Sequence, residues 1–355
     1  MHPWRYKAEG NANMCFDYTG DDPTLVRSIL RVSKKKEANL QFQRDYQNLV
    51  MVPLLGADYT APYCLYRVNE ELLTRLDNES RALRPPSRLS TSIHLQAEYA
   101  LLVPDASALG PASIAFELKP KWMYAPNVQH VRSEHQRQKQ RTCRFCMMET
   151  YRLHTKKDHV RSDYCPMDLI SRDRKRVEYA IACLWNDGGR NLKFWCNGVQ
   201  VPVDDARFLS ALGPNSTPED MQHLLVDIVM TDPLLSRLAH LQKTLDGLDI
   251  EGIYPLYTQL QESIDVHDIH TWTRTLEGVL HDTEPISDAE TILRFLMAAS
   301  IKDASIFFTL QPNSYKISVI DLDVKKLSKI PEYYQQDADI VAHCIHVGFA
   351  KSCFQ

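Results

Sequence analysis

The sequence predicts an α+β fold in two lobes: a small strand-rich lobe, residues 1–106, and a larger, mostly helical lobe, residues 107–355. Three observations predict it. Short apolar runs separated by polar turns crowd the beginning of the chain. Helix-start signals dominate from about residue 171 onward. Two further strand-like runs then follow the last predicted helix.

In the first lobe, residues 5–8 and 14–18 read as strands on either side of a polar turn, 9–13. Residues 25–32 follow as a third strand, rich in Val, Ile and Leu. Residues 38–50 read as a helix with Leu40, Tyr46 and Leu49 on or near one face. Residues 99–103 form an apolar strand, and the Pro-, Gly- and Ser-containing stretch 104–111 reads as a hinge. The second lobe opens with a strand at 113–119. Ser171 is placed to cap a helix reaching Leu184, with Val177, Ile181 and Leu184 facing inward. Thr217-Pro218 and Thr231-Asp232-Pro233 read as helix starts, and Ser287-Asp-Ala-Glu290 is a capping-box pattern for a helix ending near Ser300. Strands at 305–310 and 315–322 then pair across the turn 311–314.

Composition narrows the function. The chain has 355 residues, 41 Lys+Arg, 45 Asp+Glu and 44% hydrophobic residues, which is ordinary for a globular protein and excludes disordered and collagen-like classes. A formal charge of −4 argues against a generally basic nucleic-acid coat. The opening MHPWRYKAEG has no apolar core, so no secretory signal is expected. The apolar stretch 49–55 is short and broken by Pro53, so no membrane span is expected. Nine cysteines then read as mostly reduced thiols in a cytoplasmic or nuclear protein. The charge is nevertheless uneven. Residues 119–161 carry 11 Lys/Arg against Glu134, Glu149 and Asp158, a local balance of +8. That window reads either as a solvated loop, above all at 133–141, or as an anion site for a nucleic acid or a small polyanion.

Three constellations carry chemistry. Glu-Gly-Asn-Ala-Asn at 9–13 lies between two strands. Gly and Asn tolerate left-handed angles that aim backbone amides at phosphates, though such turns commonly do no more than turn. Arg31 of the third strand is placed to reach the same phosphates. Next, alternation along 115–121 puts Phe116 and Leu118 in the core, with Glu117 and Lys119 on the other face and Lys121 beyond Pro120. This is either a phosphoryl-binding strand end or a solvated charged edge. Finally, Asp303 and Asp321 lie ten and eight residues from a turn centre near Asn313, so an antiparallel hairpin brings both to one open end. Paired carboxylates suit phosphoryl transfer, one orienting a hydroxyl and taking its proton, the other holding Mg²⁺. The alternative is a pair of carboxylates capping strand ends.

Together these residues identify a resemblance. Tyr6-Lys-Ala-Glu-Gly-Asn-Ala-Asn13, Glu117-Leu-Lys-Pro-Lys121, Arg144-Phe-Cys-Met147, Tyr164-Cys-Pro-Met-Asp-Leu169, Lys302-Asp303 and Ile320-Asp-Leu-Asp-Val-Lys325 resemble the motifs of the inositol-pentakisphosphate 2-kinase family, in one order. The resemblance implies a fold distantly like that of protein kinases. It also implies ATP-dependent phosphorylation of the 2-hydroxyl of inositol 1,3,4,5,6-pentakisphosphate to inositol hexakisphosphate. By similarity, Gly10, Asn11, Ala12, Asn13, Arg31, Glu117 and Asp321 serve the nucleotide, with a hinge near Val103–Ala106 that includes Asp105. Asp303 acts on the hydroxyl with Lys119, and Asp321 binds Mg²⁺. Arg88, Lys119, Lys121, Arg144, Arg152, Arg190, Asn191, Lys325, Lys329 and Tyr333 take the inositol phosphates. The spacing of Lys325, Lys329 and Tyr333 suits one helical face. Many phosphates require charge from many directions, so substrate is expected to draw the lobes together. A monomer with no nucleic acid as primary partner is expected.

The sequence also departs from that family. Met148 stands where many members have His, and Arg190 precedes Asn191 where Asn-Asn is common. Plant and animal members carry a Cys/His zinc site in the large lobe. No matching ligand set occurs between residues 214 and 299, so no structural zinc is expected. Two alternatives stay open: a kinase for a lower inositol phosphate or another polyphosphorylated small molecule, and a zinc-stabilised nucleic-acid module around 119–161. In the second, Cys143-x-x-Cys146 with His154 and His159 imitates zinc-ligand order, and Cys165 lies nearby.

Overall fold

The computed structural model describes residues 3–110, 112–211, 213, 215–311 and 314–354. It is α+β, as the sequence predicts. Ten strands are present among the described residues: β1 Trp4–Glu9, β2 Asn13–Tyr18, β3 Ser28–Ser33, β4 Cys64–Arg67, β5 Tyr99–Pro104, β6 Ile114–Leu118, β7 Leu192–Cys196, β8 Val199–Val201, β9 Ser305–Gln311 and β10 Ser314–Ile320. They form two five-stranded sheets, ordered β1-β2-β3-β5-β4 and β10-β9-β6-β7-β8. The chain divides into two compact units. The first is Met1–Ala115 with Trp195–Gln200 and Phe307–Ile320; the second is Phe116–Phe194, Val201–Ile306 and Asp321–Gln355. No helix among the described residues is long and apolar enough to cross a membrane.

In the first unit, alternate residues of the antiparallel strands point to one core of Trp4, Met14, Phe16, Leu30 and Val32. Leu73 and Leu76 of the Glu70–Ser80 helix close that core. The third strand starts at Ser28, three residues later than the sequence suggests. A turn intervenes: Asp22 accepts from the Thr24 amide, Ser28 N donates to Leu25 O, and Arg27 has φ +63°. The predicted helix at 38–50 starts at Leu40, where Asn39 caps Phe42 N, and continues through a wide turn at Gln47–Met51 to Leu55. That turn shifts the helix phase, so Tyr46 is buried while Leu49 faces solvent.

In the second unit, the Asp288–Lys302 helix starts on its Ser287 cap as the sequence predicts, and every residue from 292 to 302 is buried. The Leu234–Leu245, Asp249–Leu260 and Ile269–Leu280 helices pack on it. The Pro218–Thr231 helix opens on a complete Thr217–Asp220 capping box. Val177, Ile181 and Leu184 are buried as expected, but Asp173, not Ser171, caps their helix; Ser171 Oγ instead accepts from Asp173 N. Residues 133–141 form a helix rather than a solvated loop, with His135 and Lys139 buried. Pro111 of the predicted hinge, Pro312 and Asn313 of the predicted turn, and Pro214 lie outside the described residues.

Candidate active site

The first unit carries the Gly10–Asn13 turn. Gly10, Asn11 and Asn13 do not take left-handed φ. The turn is instead held by hydrogen bonds, Gly10 N to Asn13 O at 2.9 Å and Lys34 N to Ala12 O at 2.8 Å. Beneath it the buried Glu9 accepts from Arg84 Nε at 2.8 Å and pairs with Lys34 Nζ. Burial pushes the Glu9 carboxyl up, but the two cations outweigh it and hold the pKa below the usual value. Asn13 and Arg31 share a face of adjacent strands, and the Asn13 carboxamide oxygen, turned toward Arg31, accepts from its Nε and Nη2 at 3.1 and 2.8 Å. Arg88 is held beside the turn by Asn11 Oδ1. Asp105 accepts from Lys7 Nζ at 2.7 Å and from the Ser107 amide and hydroxyl, so its carboxylate organises the segment after β5.

The second unit holds a cavity of about 370 Å³. Lys121, Arg144, Arg152, Arg190, Asn191, Asp303 and Tyr333, seven of the residues singled out in the sequence, line it together. Three elements deliver most of the wall. The Arg144–Thr155 helix presents Arg144, Phe145, Met148, Glu149 and Arg152, which helical spacing gathers on one face. The Ile330–His346 helix presents Tyr333, Gln336 and Asp337. The buried Asp288–Lys302 helix ends at the cavity, delivering Lys302 in its last turn and Asp303 as its C-cap. Arg144 Nε lies 2.8 Å from Asp337 Oδ1, while Arg144 Nη1 is buried without a hydrogen-bond partner among the described residues. A buried guanidinium nitrogen left with spare donors in a cationic cavity is suited to an anion. Lys121 has φ +68°, and burial lowers its pKa although Asp303 pulls the other way.

Beside this cavity stand the carboxylates. Ser305 Oγ lies 3.0 Å from Glu117 Oε1 and 3.2 Å from Asp321 Oδ2, with one proton to donate to either, so β6, β9 and the residue after β10 bring two acids to one hydroxyl. Lys119 Nζ lies 3.2 Å from Asp321 Oδ2 and Lys325 Nζ 2.7 Å from Asp303 Oδ2. Asp321 has φ +63°, which ends β10 and turns the chain. Carboxylate oxygens that converge in this way are the hard donors that suit magnesium, so Glu117 and Asp321 fit a divalent site. Glu117 is buried rather than on a solvated edge. Lys325, Lys329 and Tyr333 do not share one helical face: Lys325 is irregular, Lys329 sits in a 3₁₀ turn, and Pro331 fixes the helix start at Ile330. Lys329 pairs with Glu332.

Sequence reasoning counted Glu149 in the basic window without its partners and missed the distant acids that hold its neighbours. Glu149 accepts from Arg152, His159 and the Ser162 amide, and Arg190 Nη1 lies 3.4 Å from it. Lys139 is buried among Asp249, Glu251 and Asp337. Lys302 is buried against Asp246 and 4.1 Å from the Trp122 ring centroid. Asp246, Asp249, Glu251 and Asp337 lie 85 or more residues beyond the window in the chain, and no local spacing pairs them with it. His154 Nδ1 contacts Thr150 O and His159 contacts Glu149, so neither histidine joins Cys143 and Cys146.

A basic, partly apolar cavity beside paired acids is the equipment of a kinase for a small polyanion. The comparisons with known proteins define that class further. The chain belongs to the inositol-pentakisphosphate 2-kinase family, whose model matches residues 6–339. It is 26% identical to the inositol-pentakisphosphate 2-kinase of Oryza sativa subsp. indica, over 95% of this chain and 92% of that protein. It is 25% identical to the Arabidopsis thaliana protein of that name, over 96% and 92% of the two chains. Against the protein of that name from Cryptococcus neoformans var. neoformans serotype D, strain JEC21, identity is 26% over 98% and 94%.

Proposed function

We propose that this protein transfers the γ-phosphoryl group of ATP to the 2-hydroxyl of inositol 1,3,4,5,6-pentakisphosphate, giving inositol hexakisphosphate and ADP. The observation that carries the proposal is that Lys121, Arg144, Arg152 and Arg190 line one cavity together with Asp303. Arginine forks grip phosphates in pairs of hydrogen bonds and lysines add mobile point charges, so the cavity suits a ligand with phosphates on several sides. Asn191 and Tyr333 add neutral polar groups, and Lys325, Lys329 and Arg88 are assigned to further phosphates.

In this reading Asp303 accepts the proton of the inositol hydroxyl as its oxygen bonds to the γ-phosphorus and the bond to the bridging oxygen of ADP breaks. Lys325 orients the Asp303 carboxylate through its 2.7 Å contact. Lys119, paired with Asp321, supplies positive charge toward the transferred group. Gly10, Asn11, Ala12, Asn13 and Arg31 are assigned to the nucleotide phosphates, Asp105 to the segment beside the nucleotide, and Glu117 and Asp321 to a divalent cation. When bound, that cation supplies charge neutralisation at the phosphates.

The test is ATP-dependent phosphorylation of inositol pentakisphosphate by wild type, Asp303→Ala and Lys119→Ala. A positioned base contributes about 10²- to 10⁴-fold, so Asp303→Ala is expected to lose at least the lower figure in kcat. Undiminished turnover in Asp303→Ala removes the assigned base. Failure of wild type on this substrate, with turnover of a less phosphorylated inositol, replaces the substrate assignment.

A further inference from the structure

Four of the nine cysteines meet at one point. Cys143, Cys146, Cys165 and Cys353 place their sulfurs within 4.8 Å of one another, and each residue is no more than 4% exposed. We propose that this cluster is a structural zinc site with four thiolate ligands. The proposal runs against the expectation of no structural zinc. It also differs from the alternative ligand set, since Cys165 and Cys353 stand where His154 and His159 were the candidates.

The geometry suits a single ion. A tetrahedral Zn–S bond of about 2.3 Å implies S···S edges of about 3.8 Å. Cys143 Sγ and Cys165 Sγ are 3.8 Å apart. A disulfide would need about 2.05 Å. The Cys146 amide points at Cys143 Sγ at 3.5 Å, so the Cys-x-x-Cys turn at the start of the Arg144–Thr155 helix already offers a donor to a thiolate. Cys165 stands at the N-cap of the short Pro166–Leu169 helix. Cys353 is carried in by the segment 351–353, where Cys353 N donates to Arg141 O at 2.8 Å and Thr142 Oγ1 to Lys351 O at 2.7 Å.

Three separate stretches of chain therefore converge with sulfur rather than aliphatic carbon at the meeting point. Cys344 and Cys196 show the contrast: both are buried, yet neither belongs to the cluster. Soft thiolates in a closed tetrahedral set select zinc, and binding one ion releases the thiol protons. The site would fasten segment 351–353 to the start of the helix that carries Arg144, Met148, Glu149 and Arg152 into the cavity, stiffening that wall.

The test is metal analysis of the full chain purified under reducing conditions, without chelator. One zinc per chain is expected, lost in Cys353→Ser and Cys143→Ser and kept in Cys344→Ser. Cobalt exchanged into wild type should show the thiolate-to-cobalt charge-transfer bands of a tetrahedral tetrathiolate, a readout that needs no folded variant and no kinase activity. Wild type that neither contains zinc nor takes it up overturns the proposal. So does iron in its place, a disulfide among the four cysteines, cobalt bands without thiolate character, or zinc fully retained by both ligand variants.

Discussion

Replacing Lys139 by Met removes one charge from a buried ionic cluster in the second unit while keeping the length of the apolar stem. Lys139 Nζ lies 2.7 Å from Asp249 Oδ1, 2.7 Å from Asp337 Oδ2 and 3.0 Å from Glu251 Oε1, and all four side chains are buried. Two of the acids keep other partners. Asp337 retains Arg144 Nε at 2.8 Å, and Glu251 retains Arg132 Nε at 3.0 Å and His135 Nδ1 at 2.8 Å. Asp249 loses its cation and is left with the Glu251 amide at 3.1 Å. Breaking a buried ion pair from one side costs about 3–5 kcal/mol, so Lys139→Met is expected near the lower figure, with Asp249 as the main source. Burial already raises the Asp249 carboxyl to about 6, with Lys139 pulling it down. Without Lys139 it should rise further. A carboxyl raised on folding destabilises the folded state above its pKa and is relieved as pH falls through it. The loss should therefore shrink on acidification, and Lys139→Met/Asp249→Asn should recover part of it. Urea unfolding on either side of pH 6 measures this. A loss below about 1 kcal/mol, or one that grows on acidification, would refute the reasoning.

Because Asp337 also holds Arg144, the same variant should raise KM for the inositol phosphate more than it lowers kcat; an unchanged KM would separate the cluster from the cavity. Burial lowers the Lys121 pKa, so ligand affinity should fall with rising pH before the ordinary lysine value of 10.5 is reached. Lys121→Arg, which stays charged, should flatten that fall in titration calorimetry. Glu9→Gln leaves buried Arg84 and Lys34 without their carboxylate and should cost about 3 kcal/mol in urea unfolding. The Glu9 pKa is depressed, so its stabilisation is present above the ordinary 4.5 and lost as pH falls through the folded value. Met148 lines the cavity. A protonated ring in Met148→His should tighten inositol phosphate binding roughly five-fold, the ratio for about 1 kcal/mol, and more at acidic than at alkaline pH; equal affinity at both would count against phosphate contact there.

Local chemistry determined much of this protein in advance. The hairpin strands around residues 9–13, the Thr217 and Ser287 caps and the buried stripe of Val177, Ile181 and Leu184 depend on neighbours within a few residues, where period and capping operate. The candidate site residues were picked out for a related reason: Glu117, Lys119, Lys121, Asp303 and Asp321 sit at or near strand and helix ends, where alternation and turn position fix direction. What the linear order could not decide was the partner of each charge. The basic window 119–161 read either as a solvated loop or as an anion site, yet its Lys139 is buried because Asp249, Glu251 and Asp337 meet it through packing of distant helices. Cys353 joins Cys143 across 210 residues for the same reason, outside the reach of any spacing rule. Burial of charge depends on compensation in three dimensions, and compensation is a property of the fold alone.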